Sequence, residues 1–495
     1  MVRVEQLAAL LLTAVLCGEG SAEISSIETD SREVTAGALF ICLRGHKVDG
    51  HQFAAQALER GASAIVVERL LDLPVPQIVV KDSRHAMAVI ADHYFGYPSK
   101  QLRLIGVTGT NGKTTTTYLI ERILCDAGHL PGVIGTVEMR YAGSTYPMSG
   151  TTPEALQLQR SLASMVDSGC DYCVMEVSSH ALEQGRVKGS RYRTAIFTNL
   201  TQDHLDYHQT MEKYAAAKSL LFSRLGNEFG AAPEERLYAV LNADDDASPK
   251  YASVTAAEVI TYGLDHDADV RASAVRITAH GTAFHVDTFA GSVDITLRMA
   301  GKYNVYNALC AISAALIEGI PLLQIKQSLE SLPGVPGRVE AVQAGQPFAV
   351  IVDYAHTPDG LENVLTAVKE FSAGRLICVF GCGGDRDRTK RPLMGQIAAR
   401  YADYCFITSD NPRTEDPLRI LLDVEAGLIQ DEVASNRYEL LEDRRLAIQK
   451  AVEMAGPDDV VLIAGKGHET YQDIGGVKHP FDDREVAKEA IRSLS

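Results

Sequence analysis

Short apolar runs alternate with stretches of helical period along the 495 residues, and this alternation divides the chain before any side-chain chemistry is considered. In the first 99 residues, strand patterns at 38–43, 64–67 and 77–80 lie between helical patterns at 51–60 and 84–95, which predicts a small α/β module. The apolar run from Leu7 to Cys17 reads as a helix packed on that module. Tyr97-Pro98-Ser99 then breaks the pattern, because proline pushes the residue before it out of the helical region.

Residues 102–107 form a continuous apolar strand pattern, followed by a glycine-rich segment at 109–113 and a helical pattern to about 127. Strand, glycine-rich loop and helix in that order belong to a phosphate-binding α/β domain. Further strands are expected at 173–177, 195–199, 237–242 and 258–262, and the apolar/polar alternation of 283–297 predicts an antiparallel portion. Leu-Pro-Gly-Val-Pro-Gly-Arg at 332–338 is the second break. Beyond it, strand patterns at 349–353, 375–380, 404–408 and 459–464 separated by helical ones predict a second open sheet. The fold class is therefore α/β, with a central phosphate-binding sheet and a second open sheet C-terminal to it. Three domains are expected, at 1–99, 100–334 and 335–495, in line with a length too great for one core.

Charge narrows the partners. With 47 basic against 64 acidic residues the net charge is −17, which argues against general affinity for nucleic acid or anionic membrane. A negatively charged substrate must then be met by placed Arg, Lys, metal or backbone N–H groups. No stretch reaches the roughly 20 apolar residues needed to span a bilayer, and Glu5 precedes the N-terminal apolar run where an export signal would be basic. A cytosolic protein without membrane insertion is expected. Nine cysteines lie scattered, mostly in apolar segments; Cys170 and Cys173 have CxxC spacing without a second pair, so buried thiols in a reducing compartment are the reading.

The most specific local signal is the run from Gly106 through Thr108, Gly109, Thr110, Asn111, Gly112, Lys113 and Thr114. Glycines let successive N–H groups turn toward phosphate oxygens, the helix presents its positive end, Lys113 reaches the β- and γ-phosphates, and Thr114 offers a hydroxyl to Mg²⁺. The spacing from Gly106 is one residue longer than the standard motif. A phosphate loop alone suits a kinase, a motor or a transporter ATPase equally well. Glu176, at the end of the 173–177 strand, stands where ligands bind in an open α/β sheet and is a hard oxygen ligand for Mg²⁺, or it merely faces solvent. The polar cluster at 198–208 is either an ordinary capped loop or a holder of metal and phosphate. Lys218, on a helix among small and apolar residues, is expected to reach out to water.

Taken with Thr29-Asp30-Ser31-Arg32, the motif at 45–50, Gly301 to Asn307, Asp353-Tyr-Ala-His-Thr-Pro358, Gly381 to Arg386 and Asp410-Asn-Pro-Arg413, the chain resembles the Mur ligases of bacterial peptidoglycan synthesis over essentially its whole length. Within them it is similar to the members that add a diamino acid to UDP-N-acetylmuramoyl-L-alanyl-D-glutamate. The resemblance implies the three-domain Mur ligase architecture, with a central P-loop ATPase-like sheet and a C-terminal Rossmann-like sheet, ATP as co-substrate and two Mg²⁺ ions. It implies that Ser31, Thr151, Thr152, Ser178, Gln184 and Arg186 contact the UDP-linked peptide, and that Asn304, Arg338, Asp353 and His356 join the loop 108–114 around ATP. Lys218 is similar to the family lysine carried as a carbamate, which with Thr114, Glu176 and His204 would hold the metal; Lys113, Glu176, His204 and Lys218 form the implied catalytic set.

In Asp410-Asn411-Pro412-Arg413, the arginine goes with meso-2,6-diaminopimelate in this family, since a guanidinium fork holds the carboxylate at the far end of the side chain. Arg386, Gly465 and Glu469 resemble the remaining contacts. The implied reaction passes through an acyl phosphate that the amine attacks. A monomer whose domains close to exclude water is expected, with hinges near 98 and 336. Lysine-adding and folate polyglutamate ligases are the neighbouring enzymes; a non-catalytic nucleotide-binding protein is the alternative of another class.

Overall fold

The computed structural model describes residues 2–45, 48–148, 150–227, 232, 235–278 and 281–494. His46 and Lys47, inside the 45–50 motif, lie outside the described residues. The chain is α/β throughout and groups into two compact units, residues 1–106 with 129–193, and 107–128 with 194–495.

The first unit contains a five-stranded sheet in the order Val15–Cys17, Gln77–Val79, Ala62–Val67, Ala38–Ile41, Ser26–Glu28. Its inner strands are apolar on both faces, and the two-residue period sends neighbours to opposite sides. Leu39, Ile41, Ala64 and Val66 pack with Met87 and Ile90 of helix Ser83–Tyr94, while Phe40, Ile65 and Val67 pack with Ala54 and Ala57. The Leu7–Cys17 run is not one helix. Helix Val4–Ala9 stops, the chain turns with Leu12 fully exposed, and Val15–Cys17 pairs antiparallel with Gln77–Val79. Nothing apolar covers Leu12, and Thr13 and Val15 are β-branched, so a continued helix would gain little burial while the sheet edge offers hydrogen bonds. The same unit holds Pro131–Ile134 parallel to Tyr172–Glu176, the hairpin Met139–Tyr141 and Ser144–Tyr146, and helix Ala155–Asp167, whose Leu156 joins the N-terminal core.

In the second unit, Tyr238–Asn242 and Glu258–Gly263 are parallel, followed by an antiparallel meander of Val270–Thr278, Gly281–Thr288 and Gly291–Leu297. The alternation read at 283–297 is thus most of a hairpin, and the strand before it is an addition. Helix Lys302–Ile317 is buried along most of its length and packs on helix Lys113–Asp126. The C-terminal sheet runs Glu340–Ala341, Ala349–Asp353, Val460–Ala464, Leu376–Phe380, Tyr404–Thr408, Tyr438–Leu441, parallel except at its short first strand. Parallel strands place their carboxyl ends on one edge, so Asp353, Phe380, Thr408 and Ala464 deliver the loops that follow them to a common rim. Among the described residues, no helix is long and apolar enough to cross a membrane.

Candidate functional site

Strand Arg103–Thr108 leads into Gly109 (φ 149°), and Gly112 (φ 84°) precedes helix Lys113–Asp126. Neither position admits a side chain: a Cβ on Gly109 would lie 1.8 Å from Thr198 Oγ1, and one on Gly112 would lie 2.3 Å from Asn307 Oδ1. The segment after Phe197 fastens the loop. Thr198 Oγ1 donates to Asn111 O at 2.6 Å, Asn111 N donates to Asn199 Oδ1 at 2.9 Å, and Thr201 N donates to Thr110 Oγ1 at 3.0 Å. The polar residues from 198 therefore do more than cap a helix; they hold the shape of the phosphate loop. Lys113 Nζ donates to the carbonyls of Gly109 and Thr110 at 2.9 and 2.8 Å. Buried Thr114 receives Arg338 at 3.3 Å on its hydroxyl, and the buried Thr108 hydroxyl has no partner among the described residues.

Lys218 does not reach water. It is 1% exposed on helix Met211–Ser223, and its Nζ donates at 2.7 Å to the Gly109 carbonyl that Lys113 also uses. The helix turns Tyr214, Ala217, Leu221 and Phe222 inward, and Lys218 goes with them, its Nζ 4.4 Å above the Tyr214 ring. Burial, helped by the neighbouring Lys113 charge, drives the Lys218 ammonium well below its ordinary range. His204 adopts φ 57°, and its N–H donates to Asp203 Oδ1 at 2.8 Å. Buried Asp203 faces Lys390 at 3.4 Å; against the burial that would raise it, Lys390, His204 and His356 hold its carboxyl far below the usual range.

Beside the loop lies a cavity of about 280 Å³ lined by Asn111, Gly112, Tyr306, Asn307, Arg338 and Asp353. The Asp353 carboxylate accepts from Val339 N at 2.8 Å and Ala355 N at 2.7 Å, and burial raises it despite Arg338. Asn304 is turned inward: its amide donates to Ala300 O at 2.8 Å and its oxygen accepts from Asn307 at 3.2 Å, so Asn307 is the asparagine of this helix that lines the cavity. His356 holds Tyr354 O at 2.8 Å; burial and Lys390 bring it down to about 4, so it is neutral at pH 7.

On the first unit, Glu176 is buried and its two oxygens accept from Thr136 N and Thr136 Oγ1, both at 2.9 Å. Thr151 meets Thr136 at 3.0 Å, Thr152 donates to Glu176 O at 2.9 Å, and Ser178 N donates to Thr152 at 3.0 Å. Arg186 grips Gln184 at 2.7 and 3.0 Å, Thr152 O at 3.0 Å and Glu154 at 3.2 Å. Five of the six residues expected around the UDP-linked peptide thus share one hydrogen-bonded group with Glu176. Ser31 is not in it; its hydroxyl donates to Gln56 at 2.8 Å.

At the rim of the C-terminal sheet, Asp410 and Asn411 follow one strand and Gly465 and Glu469 another. Asn411 donates to Glu469 Oε2 at 2.8 Å. Arg413, half-buried with φ 51°, donates to Gly384 O at 2.6 Å, and a Cβ on Gly383 would stand 3.1 Å from Arg413 and 3.7 Å from Arg386. Pro412 is buried against the 381–386 loop, its carbonyl 1.9 Å from where a Cβ on Gly384 would be. Sequence reasoning passed over Asn307, Asp359, Lys390 and Lys466. Asp359 receives Asn111 at 2.5 Å. Lys466 sits between two glycines directly after an apolar strand, which was a readable sign of a lysine aimed at the rim. Among the described residues, no three His, Cys, Asp or Glu side chains gather as a metal cage.

Three family models match consecutive segments: the Mur ligase family catalytic domain at 23–95, the Mur ligase middle domain at 107–315 and the Mur ligase glutamate ligase domain at 337–467. The UDP-N-acetylmuramoyl-L-alanyl-D-glutamate--2,6-diaminopimelate ligase of Bacillus cereus is 52% identical over 95% of this chain and 94% of its own. That of Geobacillus thermodenitrificans is 53% identical over 96% of each. A solved structure of a UDP-N-acetylmuramoyl-L-alanyl-D-glutamate--2,6-diaminopimelate ligase superposes with a TM-score of 0.68 at 35% identity, covering 100% of this chain and 99% of that one. With whole-length likeness added to a glycine-built phosphate loop and a parallel C-terminal sheet, the chain belongs to the Mur ligase family and has its three-domain α/β fold.

Proposed function

We propose that this chain is an ATP-dependent ligase that joins meso-2,6-diaminopimelate to the D-glutamyl residue of UDP-N-acetylmuramoyl-L-alanyl-D-glutamate, in peptidoglycan synthesis. Whole-length likeness to diaminopimelate ligases supports the reaction, and one local observation carries the choice of amino acid. A guanidinium, Arg413, and a carboxylate, Glu469, stand on loops at the same rim, matched to a side-chain end bearing both carboxylate and ammonium.

The domains proposed are 1–99 for the UDP-linked acceptor, 100–334 for ATP and 335–495 for the amino acid. The loop 108–114 cradles the triphosphate, and Arg338, Asp353 and His356 attend the nucleoside, with Asn304 acting on it through Asn307, which it holds at the cavity wall. Thr151, Thr152, Ser178, Gln184 and Arg186, with Ser31, bind the acceptor. Thr114, Glu176, His204 and Lys218 are each of a chemistry that suits Mg²⁺, which would supply positive charge to phosphate oxygens when bound. The donor set is oxygen and imidazole once Lys218 is a carbamate. Its burial beside Lys113 supports that modification, because a deprotonated amine is the form that captures carbon dioxide, and the product removes one of two crowded cations.

The acceptor carboxylate attacks the γ-phosphorus and ADP leaves, Lys113 exchanging its two loop carbonyls for phosphate oxygens; the amine then attacks the acyl carbon, gives up a proton and expels phosphate to leave the amide. Incubation with ATP, Mg²⁺ and the UDP-linked acceptor, offering diaminopimelate and lysine separately and identifying products by mass, tests the reading. Phosphate release that needs acceptor and diaminopimelate together is expected; predominant lysine addition overturns it.

A further inference from the structure

Lys466 is fully buried, and its ammonium touches three side chains drawn from two loops: Asn411 Oδ1 at 3.0 Å, Glu469 Oε2 at 3.1 Å and Asp410 Oδ1 at 3.5 Å. Glu469 Oε2 also takes the Asn411 amide at 2.8 Å, so both donors fall on one oxygen and the other keeps its acceptor capacity. Beneath them Arg444, likewise buried, chelates Asp483 at 2.7 and 2.8 Å and donates to the carbonyls of Ser409 and Ala464 at 3.4 and 3.0 Å, tying the two strand ends.

A buried ammonium costs far more than a surface one unless acceptors surround it, so three acceptors, two from the 410–411 loop and one from its own, are a built arrangement. The charges also count. Arg444 is matched by Asp483, while Lys466 matches only one of Asp410 and Glu469. Within Asp410, Lys466 and Glu469 one negative charge is left over, Arg413 being kept for the distal carboxylate. A single ammonium balances it, and a second carboxylate is not repelled by an excess. Without Lys466 the pocket would hold two adjacent carboxylates with no ammonium between them, favouring a plain cationic side chain over a zwitterionic one.

The geometry points to Lys466 as a positioning and specificity-determining residue of the amino-acid pocket: it clamps the 410–411 loop to Glu469 and sets a charge that admits a carboxylate-bearing side-chain end. This rests on the reading of diaminopimelate as substrate. Lys466→Met keeps most of the volume and removes the charge. With the other substrates saturating, KM for diaminopimelate is expected to rise about 30-fold, and the preference for diaminopimelate over lysine to fall about 10-fold. The kcat, and KM for ATP and acceptor, should move less than about twofold, which a merely structural residue would not allow. An unchanged KM for diaminopimelate, or a loss of kcat with unaltered preference, overturns the inference. If K466M does not fold, Lys466→Gln retains a donor for Asn411 and still loses the charge; an unaltered preference there overturns it equally. Wild-type enzyme that releases phosphate without diaminopimelate sinks the functional reading and this inference together, whereas a wild type that needs it beside an indifferent K466M sinks the inference alone.

Discussion

In the phosphate loop the constraints are backbone ones. Gly109 and Gly112 have no room for a Cβ, and the neighbours that fasten the loop bond mostly to its amides and carbonyls. The amino-acid pocket is made the other way, from side chains on the 381–386, 410–413 and 465–469 loops held by buried cations. A site made of backbone fixes a shape common to every triphosphate. One made of side-chain charges can be retuned by a single replacement, and that is where a family that varies its amino acid has to vary.

The comparison breaks most visibly at the loop. If backbone shape governs it, Gly109→Ala should be as damaging as Lys113→Ala, although only the second removes a charge. Each is expected to lower phosphate release by at least about 1000-fold. Gly109→Ala should also cost about 3 kcal/mol of stability, because its methyl would overlap Thr198. Steady-state phosphate release and thermal melting read the two effects; near-normal turnover in Gly109→Ala would mean that the loop gives way and the contrast is false.

A smaller and more selective effect is expected at the pocket. Arg413→Ala should reduce kcat/KM for diaminopimelate about 100-fold while leaving lysine within about threefold, since lysine has no distal carboxylate to lose. Equal losses on both would assign Arg413 to holding the 384 loop through its bond to Gly384 O rather than to recognition.

The same contrast explains what could be read in the chain. The phosphate loop, the apolar strands at 349–353 and 404–408 and the parallel C-terminal sheet were legible because their causes are local: glycine spacing, apolar runs and turn formers. Lys218 and the 7–17 run misled for one reason. Whether a lysine faces water, or a leucine run stays helical, depends on which surface arrives from elsewhere in the chain, and periodicity carries no such information. Lys390 went unread because its partner Asp203 is distant in sequence, and Lys466, for all its flanking glycines and the nearby Glu469, gave no sign of its bond to Asn411, which is also remote.

Acidity gives the gentlest probe, and it falls on the charged side of the comparison. Burial lowers both His356 and His468 to about 4, with Lys390 adding to the first and Arg338 to the second, while Asp203 works the other way on His356. In the unfolded chain both return to about 6.5. Above that value neither form takes a proton, and the stability these neutral rings allow is fully present. As pH falls from about 6.5 toward about 4, the unfolded chain gains protons that the folded one refuses, so stability declines through that window. The amides that shape the phosphate loop do not titrate there. Melting temperature should therefore drop steadily between pH 7 and 4.5, and His356→Gln and His468→Gln should each flatten the slope, whatever they do to the midpoint at neutral pH. Slopes that stay parallel to wild type in both variants would mean the rings are protonated in the fold, and that the C-terminal charges are arranged around cations there rather than neutral imidazoles.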